Sequence, residues 1–88
     1  MDEARRIRIN RLKWHCRRAL LELDLVFARF WERHEGDLGQ ADEAVLEDLL
    51  ALEDHDLWAL VSGRTMAAGD EQAAMVARLR ELAPKAGA

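Results

Sequence analysis

An all-α fold, a compact five-helix bundle in a single domain, is predicted by three features of this 88-residue sequence. Half of the residues are apolar, yet they are mostly Leu and Ala; Tyr is missing, Thr65 is the sole threonine, and Val and Ile are scattered, so residues that favour strands are scarce. Apolar positions recur at the three- and four-residue intervals of a helix face. Gly, Asp and Pro fall between these runs as punctuation. A chain of this length is near the size at which one hydrophobic core is just sufficient. Residues 1–88 are therefore read as one domain, with a core over about 5–83 and a flexible tail at 84–88.

The first helix spans 3–15, with Ile7, Ile9 and Leu12 as sparse apolar positions. The second, over about 18–35, is the hydrophobic spine. At about 100° per residue, Cys16, Leu20, Leu23, Phe27, Phe30 and Trp31 share one side and enter the core. Arg18, Glu22 and Arg29 lie nearly opposite. Ala19 supplies no break, so the first two helices can run on as one. Gly36-Asp37-Leu38-Gly39 stops the spine, because glycine accepts the left-handed conformation of a helix end. The third helix covers about 41–52, where Val45, Leu46, Leu49, Leu50 and Leu52 alternate with Asp42, Glu43, Glu47 and Asp48. Acids in its first turn suit the positive end of the helix dipole. Asp54 is the expected N-cap of a short, largely buried fourth helix over about 55–62, which carries Leu57, Trp58, Leu60 and Val61 and stops at Gly63. After the link from Arg64 to Gly69, Asp70 caps a fifth helix reaching about 83, with Ala73, Val76, Leu79 and Leu82 or Ala83 inward and Pro84 as its end.

The net charge of −4 conceals an asymmetry: residues 1–18 hold seven basic residues against Asp2 and Glu3, a net +5 that leaves −9 for the rest. A basic first helix beside an acidic body is either a solvated face or a surface that steers a partner of complementary potential. Nucleic acid is a poor fit to that acidic body, and no stacking series or recognition-helix pattern accompanies the arginines. The lone Cys16 excludes an internal disulfide and any C-x-x-C pattern, which suits a reducing compartment, so a cytoplasmic location is expected. Met1-Asp2-Glu3 does not open like a secretory signal, and no apolar run reaches the roughly 18 residues of a membrane span. A metal would need His15-Cys16, His34-Glu35 and Asp54-His55-Asp56 to converge, and none is expected. With no glycine-rich phosphate loop and no Ser/His/Asp arrangement, no catalytic residue is assigned. The chain reads as a non-enzyme.

The run from Trp14 to Leu25 is the most informative stretch. Arg18 and Glu22 stand four residues apart, and Leu21, Leu25 and Trp14 flank them. An ion pair exposed on a helix is worth a few tenths of a kcal/mol and needs no function. An outward face with apolar residues around a charged pair also reads as a docking surface, in which Arg18 offers a planar fork of donors. Trp31 and Trp58 are expected in the core, whereas Trp14 fits a core position or an interface anchor equally well. Cys16 is expected to be a small buried residue rather than a reactive thiol.

The order W-x-C-R-R-x-x-x-E-L-D-L, followed by Phe27, Phe30 and Trp31, resembles the SdhE family of FAD assembly factors for succinate dehydrogenase. Leu49-Leu50, the segment from Asp54 to Trp58, and the last helix near Met75 and Leu79 extend the resemblance over roughly residues 5–82. The family signature R-G-x-x-E maps onto Arg18, Ala19, Leu20, Leu21 and Glu22, with Ala in place of Gly. An added methyl at that position either clashes in a close-packed interface, at about 1–3 kcal/mol, or meets a partner that has adjusted to it. The resemblance implies a monomer that promotes covalent FAD attachment to the flavoprotein subunit of succinate dehydrogenase, with fumarate reductase as a second candidate client. The motif would face the client near its FAD and the histidine that becomes attached to it. No cofactor would be stably bound, because the FAD belongs to the client, and neither membrane insertion nor nucleic acid is implied. Arg18, Ala19 and Glu22 would dock, supported by Leu21, Leu25, Trp14 and Arg17, while Asp24 is a candidate for fixing the helix end or touching the partner. On this reading Arg18→Ala and Glu22→Ala leave the fold nearly intact and weaken flavinylation. Two other readings stay open: an antitoxin-type partner of a small membrane toxin, and a generic helical adaptor.

Overall fold

The computed structural model describes residues 3–83, so Pro84 and the expected flexible tail at 84–88 lie outside the described residues. Within them the chain forms five helices and no strand: α1 (Glu3–His15), α2 (Leu21–His34), α3 (Gln40–Leu50), α4 (Asp54–Val61) and α5 (Asp70–Leu82), with a 3-10 turn over Glu35–Asp37. The predicted all-α bundle is therefore the observed one. α5 is its hub and packs against α2, α3 and α4, while α1 leans on α3.

The expected apolar phase of α2 holds. Leu23, Val26, Phe27 and Phe30 are buried, and Leu20 and Trp31 pack against them from its two ends. The 3.6-residue repeat places these positions on one stripe, which meets Met75, Val76, Leu79 and Leu82 of α5, Leu46, Leu49 and Leu50 of α3, and Leu57, Leu60 and Val61 of α4 in one core. Two expected core positions sit further out: Trp58 is only half-buried and Ala73 is exposed.

α1 has little apolar surface to bury and adds only Ile9 and Leu12. Polar contacts fasten it instead. Arg8 Nε meets Oε1 of the buried Glu43 at 2.9 Å, Lys13 pairs with Glu35, and Arg5 donates to the Glu35 carbonyl at 2.8 Å. Two basic side chains of this helix, Arg8 and Lys13, are thus paired with the chain's own acidic body, which narrows the steering surface read from its charge.

Several expected boundaries are corrected. α1 and α2 do not run on: the helix stops at His15, and α2 resumes only at Leu21 after an extended Leu20 (φ −73°, ψ 115°). Gly36 does not stop α2 through a left-handed conformation; the helix tightens into the 3-10 turn, and among the described residues only Gly63 (φ 88°) and Gly69 (φ 110°) have positive φ. Gly63 does act as expected. Its N–H bonds the Leu60 carbonyl while that of Arg64 bonds the Ala59 carbonyl, the paired pattern of a left-handed helix end. Asp54 and Asp70 are the first residues of their helices rather than N-caps, which are Glu53 and Gly69. The Asp54 carboxylate is engaged instead by Arg18 and by the Leu20 N–H.

Phe30 is fully buried where α2 meets the core. Truncation there leaves a cavity, so Phe30→Ala is expected to lower stability by about 3–5 kcal/mol, a large part of what a domain this size possesses. A urea titration checks this as a fall in midpoint at unchanged slope.

Candidate docking site

Residues 16–20 join α1 to α2, and Arg18 organises them. Its guanidinium turns inward, with the side chain only 12% exposed. Nη2 donates to the Leu50 carbonyl, and Nη1 donates to the Leu52 carbonyl at 3.0 Å and to Asp54 Oδ1 at 3.4 Å. These carbonyls close α3, where the final turn leaves acceptors without intrahelical donors at the negative end of the helix dipole. A planar, permanently charged fork answers both needs. The expected outward pairing of Arg18 with Glu22 is therefore corrected: Arg18 precedes α2 and clamps the end of α3, and Glu22 has no ion pair among the described residues.

The backbone on either side of Ala19 is held as well. Arg18 N–H donates to Asp24 Oδ1 at 3.4 Å, and Leu20 N–H donates to Asp54 Oδ2 at 3.0 Å. Asp24 fixes the start of α2, one of the two tasks read for it, and lies 3.9 Å from Arg17 Nε. Ala19 occupies an exposed bend between these two points. No non-glycine residue among those described has positive φ, so backbone geometry does not demand glycine at position 19, and its methyl group faces solvent. The choice between Gly and Ala here concerns whatever approaches from outside.

The remaining predicted residues are presented outward. Trp14 in the last turn of α1 is 74% exposed, Leu21 and Leu25 on successive turns of α2 are 75% and 38% exposed, and Glu22 and Arg17 are exposed beside them. Trp14 is thus an exposed residue, which resolves its two readings against the core. Next to this face a groove of about 380 Å³ is lined by Lys13, Cys16, Arg17, Asp24, Phe27, Ala28 and Trp31. Burial pushes the Cys16 thiol up to about 12, while Trp31 and then Arg18 pull it part of the way back. The thiol is accordingly neutral and a poor nucleophile. Sequence reasoning missed Asp54 as a member of this site because it took Asp54 for a helix cap. The nearest signal was its place just after the last leucines of α3.

The described residues form a small all-α domain that keeps Trp14, Leu21 and Leu25 in water around a braced loop, a surface of the kind through which interaction modules dock. Comparison with known proteins then specifies the family. A family model described as flavinator of succinate dehydrogenase matches residues 10–83, and the chain belongs to that family. It is 38% identical over 72 residues to the FAD assembly factor SdhE of Shewanella oneidensis, covering 82% of this chain and 88% of that protein. It is 36% identical over 77 residues to the FAD assembly factor SdhE of Methylococcus capsulatus, covering 88% and 93%. No solved structure matches. Among the described residues no helix is long and apolar enough to cross a membrane.

Two outcomes are expected. Arg18→Ala leaves the carbonyls of Leu50 and Leu52 and Oδ1 of Asp54 without their side-chain donor, and should cost about 2–3 kcal/mol, whereas Glu22→Ala should stay within about 0.5 kcal/mol of wild type. Thermal melts of the two variants check this and replace the sequence-based expectation that both leave the fold nearly intact. For Cys16, the folded thiol titrates near 12 against 9.0 for an unshifted group. Above pH 9 the unfolded chain releases a proton that the folded chain retains, so the contribution is fully present below pH 9 and falls by about 1.4 kcal/mol per pH unit until about 12. Urea stabilities of wild type and Cys16→Ala at pH 8 and pH 10 should show the steeper decline only in wild type.

Proposed function

We propose that this chain promotes covalent attachment of FAD to the flavoprotein subunit of succinate dehydrogenase by docking transiently, as a monomer, through the face that carries Trp14, Arg17, Ala19, Leu21, Glu22 and Leu25. The observation that carries the reading is this exposed apolar face beside an immobilised loop, in a chain that belongs to the flavinator family. Leu21 and Leu25 supply apolar contact area, Trp14 an aromatic anchor, and Glu22 an unpaired carboxylate for a donor on the client. Arg18 contributes by holding the loop rather than by reaching across. Fumarate reductase, through its own flavoprotein subunit, is the second client on this reading.

The FAD is the client's cofactor. When bound there it would supply the flavin that becomes covalently joined to the client's histidine, and this chain's part would be to hold the client in a productive arrangement. A buried, protonated Cys16 agrees with a role that contributes geometry and no nucleophile.

The test is reconstitution of purified apo flavoprotein subunit with FAD, with and without this chain, followed as covalent flavin fluorescence in a denaturing gel. Wild type is expected to accelerate labelling. Leu21→Asp and Glu22→Ala are each expected to require about tenfold more protein for the same rate, at stabilities near wild type. Acceleration that appears only with Ala19→Gly would mean that the added methyl obstructs the client. Absence of acceleration by either form would overturn the reading.

A further inference from the structure

Resting on the docking role proposed above, the geometry points to Asp54 as a positioning residue that sets the shape of the loop presented to the client without touching the client itself. Asp54 opens α4, 34 residues beyond Leu20 in sequence, and its two carboxylate oxygens divide their work. Oδ2 accepts the Leu20 N–H at 3.0 Å, and Oδ1 accepts from Arg18 Nη1 at 3.4 Å. One side chain thereby holds the residue before Ala19 by its guanidinium and the residue after it by its peptide. On the upstream side Asp24 Oδ1 accepts the Arg18 N–H at 3.4 Å. The Ala19 bend is thus suspended between two carboxylates, one from α2 and one from the corner where α3 passes into α4.

The carboxylate suits this task for two reasons. Leu20 stands at the N-cap position of α2 and contributes no side-chain cap, so the start of α2 depends on partners from outside the helix. The Asp54 side chain is 27% exposed, enough shelter for its bonds to Arg18 and Leu20 to hold a single geometry. A loop held this way enters a complex already ordered, and the ordering cost that would otherwise weaken docking is avoided. Without Asp54 the guanidinium of Arg18 still reaches the carbonyls of Leu50 and Leu52, so the bundle persists while the bend loosens.

The test compares the full chain with Asp54→Ala and with Val61→Ala, a core truncation at the far end of the same helix. Each is titrated against apo flavoprotein subunit and FAD, and the half-saturating concentration is separated from the limiting rate. In parallel, amide hydrogen exchange is read at Leu20, Phe27 and Phe30. Asp54→Ala is expected to raise the half-saturating concentration about tenfold at a nearly unchanged limiting rate, and to speed exchange at Leu20 while Phe27 and Phe30 stay protected. Val61→Ala is expected to leave the half-saturating concentration near that of wild type. A wild-type value in Asp54→Ala, or an equal rise in Val61→Ala, would overturn the positioning role. Unchanged exchange at Leu20 would overturn the pinning itself. Failure of wild type to stimulate labelling would instead remove the docking role on which this one stands, while the exchange data would still report whether Asp54 holds the bend.

Discussion

The guanidinium of Arg18 on the carbonyls of Leu50 and Leu52 is the contact on which the shape of this domain turns. Short helices end in carbonyls that need donors, and a domain of this size has little chain to spare for long capping loops. Among the described residues, only α4 closes with a glycine in the left-handed conformation. Arginines from distant segments serve helix ends as well, that of α4 included. Arg5 reaches the Glu35 and Leu38 carbonyls after α2, Arg80 those of Leu60 and Val61 at the end of α4, and Arg29 that of Leu82 at the end of α5. Each of these bonds ties two elements together at a helix terminus. They bring direction to a core whose apolar contacts are themselves non-directional.

This capping scheme has a functional corollary in the α1–α2 link. A loop that must meet a partner pays less entropy on binding if it is ordered beforehand. Arg18, Asp24 and Asp54 provide that order from inside the fold. The outward positions Leu21, Glu22 and Trp14 are thereby released from structural duties, which is what the proposed docking role asks of them. Ala19 illustrates the separation. Its backbone has no need of glycine and the residue is exposed, so the departure from the R-G-x-x-E signature leaves the fold as it is.

Much of the architecture was legible because it rests on local repeats. The stripe of Leu23, Phe27 and Phe30, the leucines of α3, the Val76, Leu79 and Leu82 series of α5 and the stop at Gly63 all follow from a 3.6-residue period and one backbone preference. Leu21 and Leu25 of the candidate site were legible by the same rule, as apolar side chains out of phase with the core, whereas Trp14 was open to either placement. Arg18 was misplaced because the apolar period was carried back into a segment that is not helical. A helix would have turned Arg18 to solvent beside Glu22, whereas the bend turns it inward. Asp54 was misread for a related reason: an acid at the head of a helix is the usual sign of a cap, and nothing nearby in sequence reveals that its oxygens serve Arg18 and Leu20.

By itself, then, the sequence determined the helical class, the inward face of each long helix and the outward placement of Leu21, Glu22 and Leu25, since all three depend on neighbours within one or two turns. Tertiary structure alone decided which arginine closes which helix, how α1 is fastened through Glu43 and Glu35, and that Asp54 braces the loop at Ala19. These pairings join groups 19 to 53 residues apart. A guanidinium has no preferred partner along its own chain. Its acceptor is whichever helix end the packed core brings within reach.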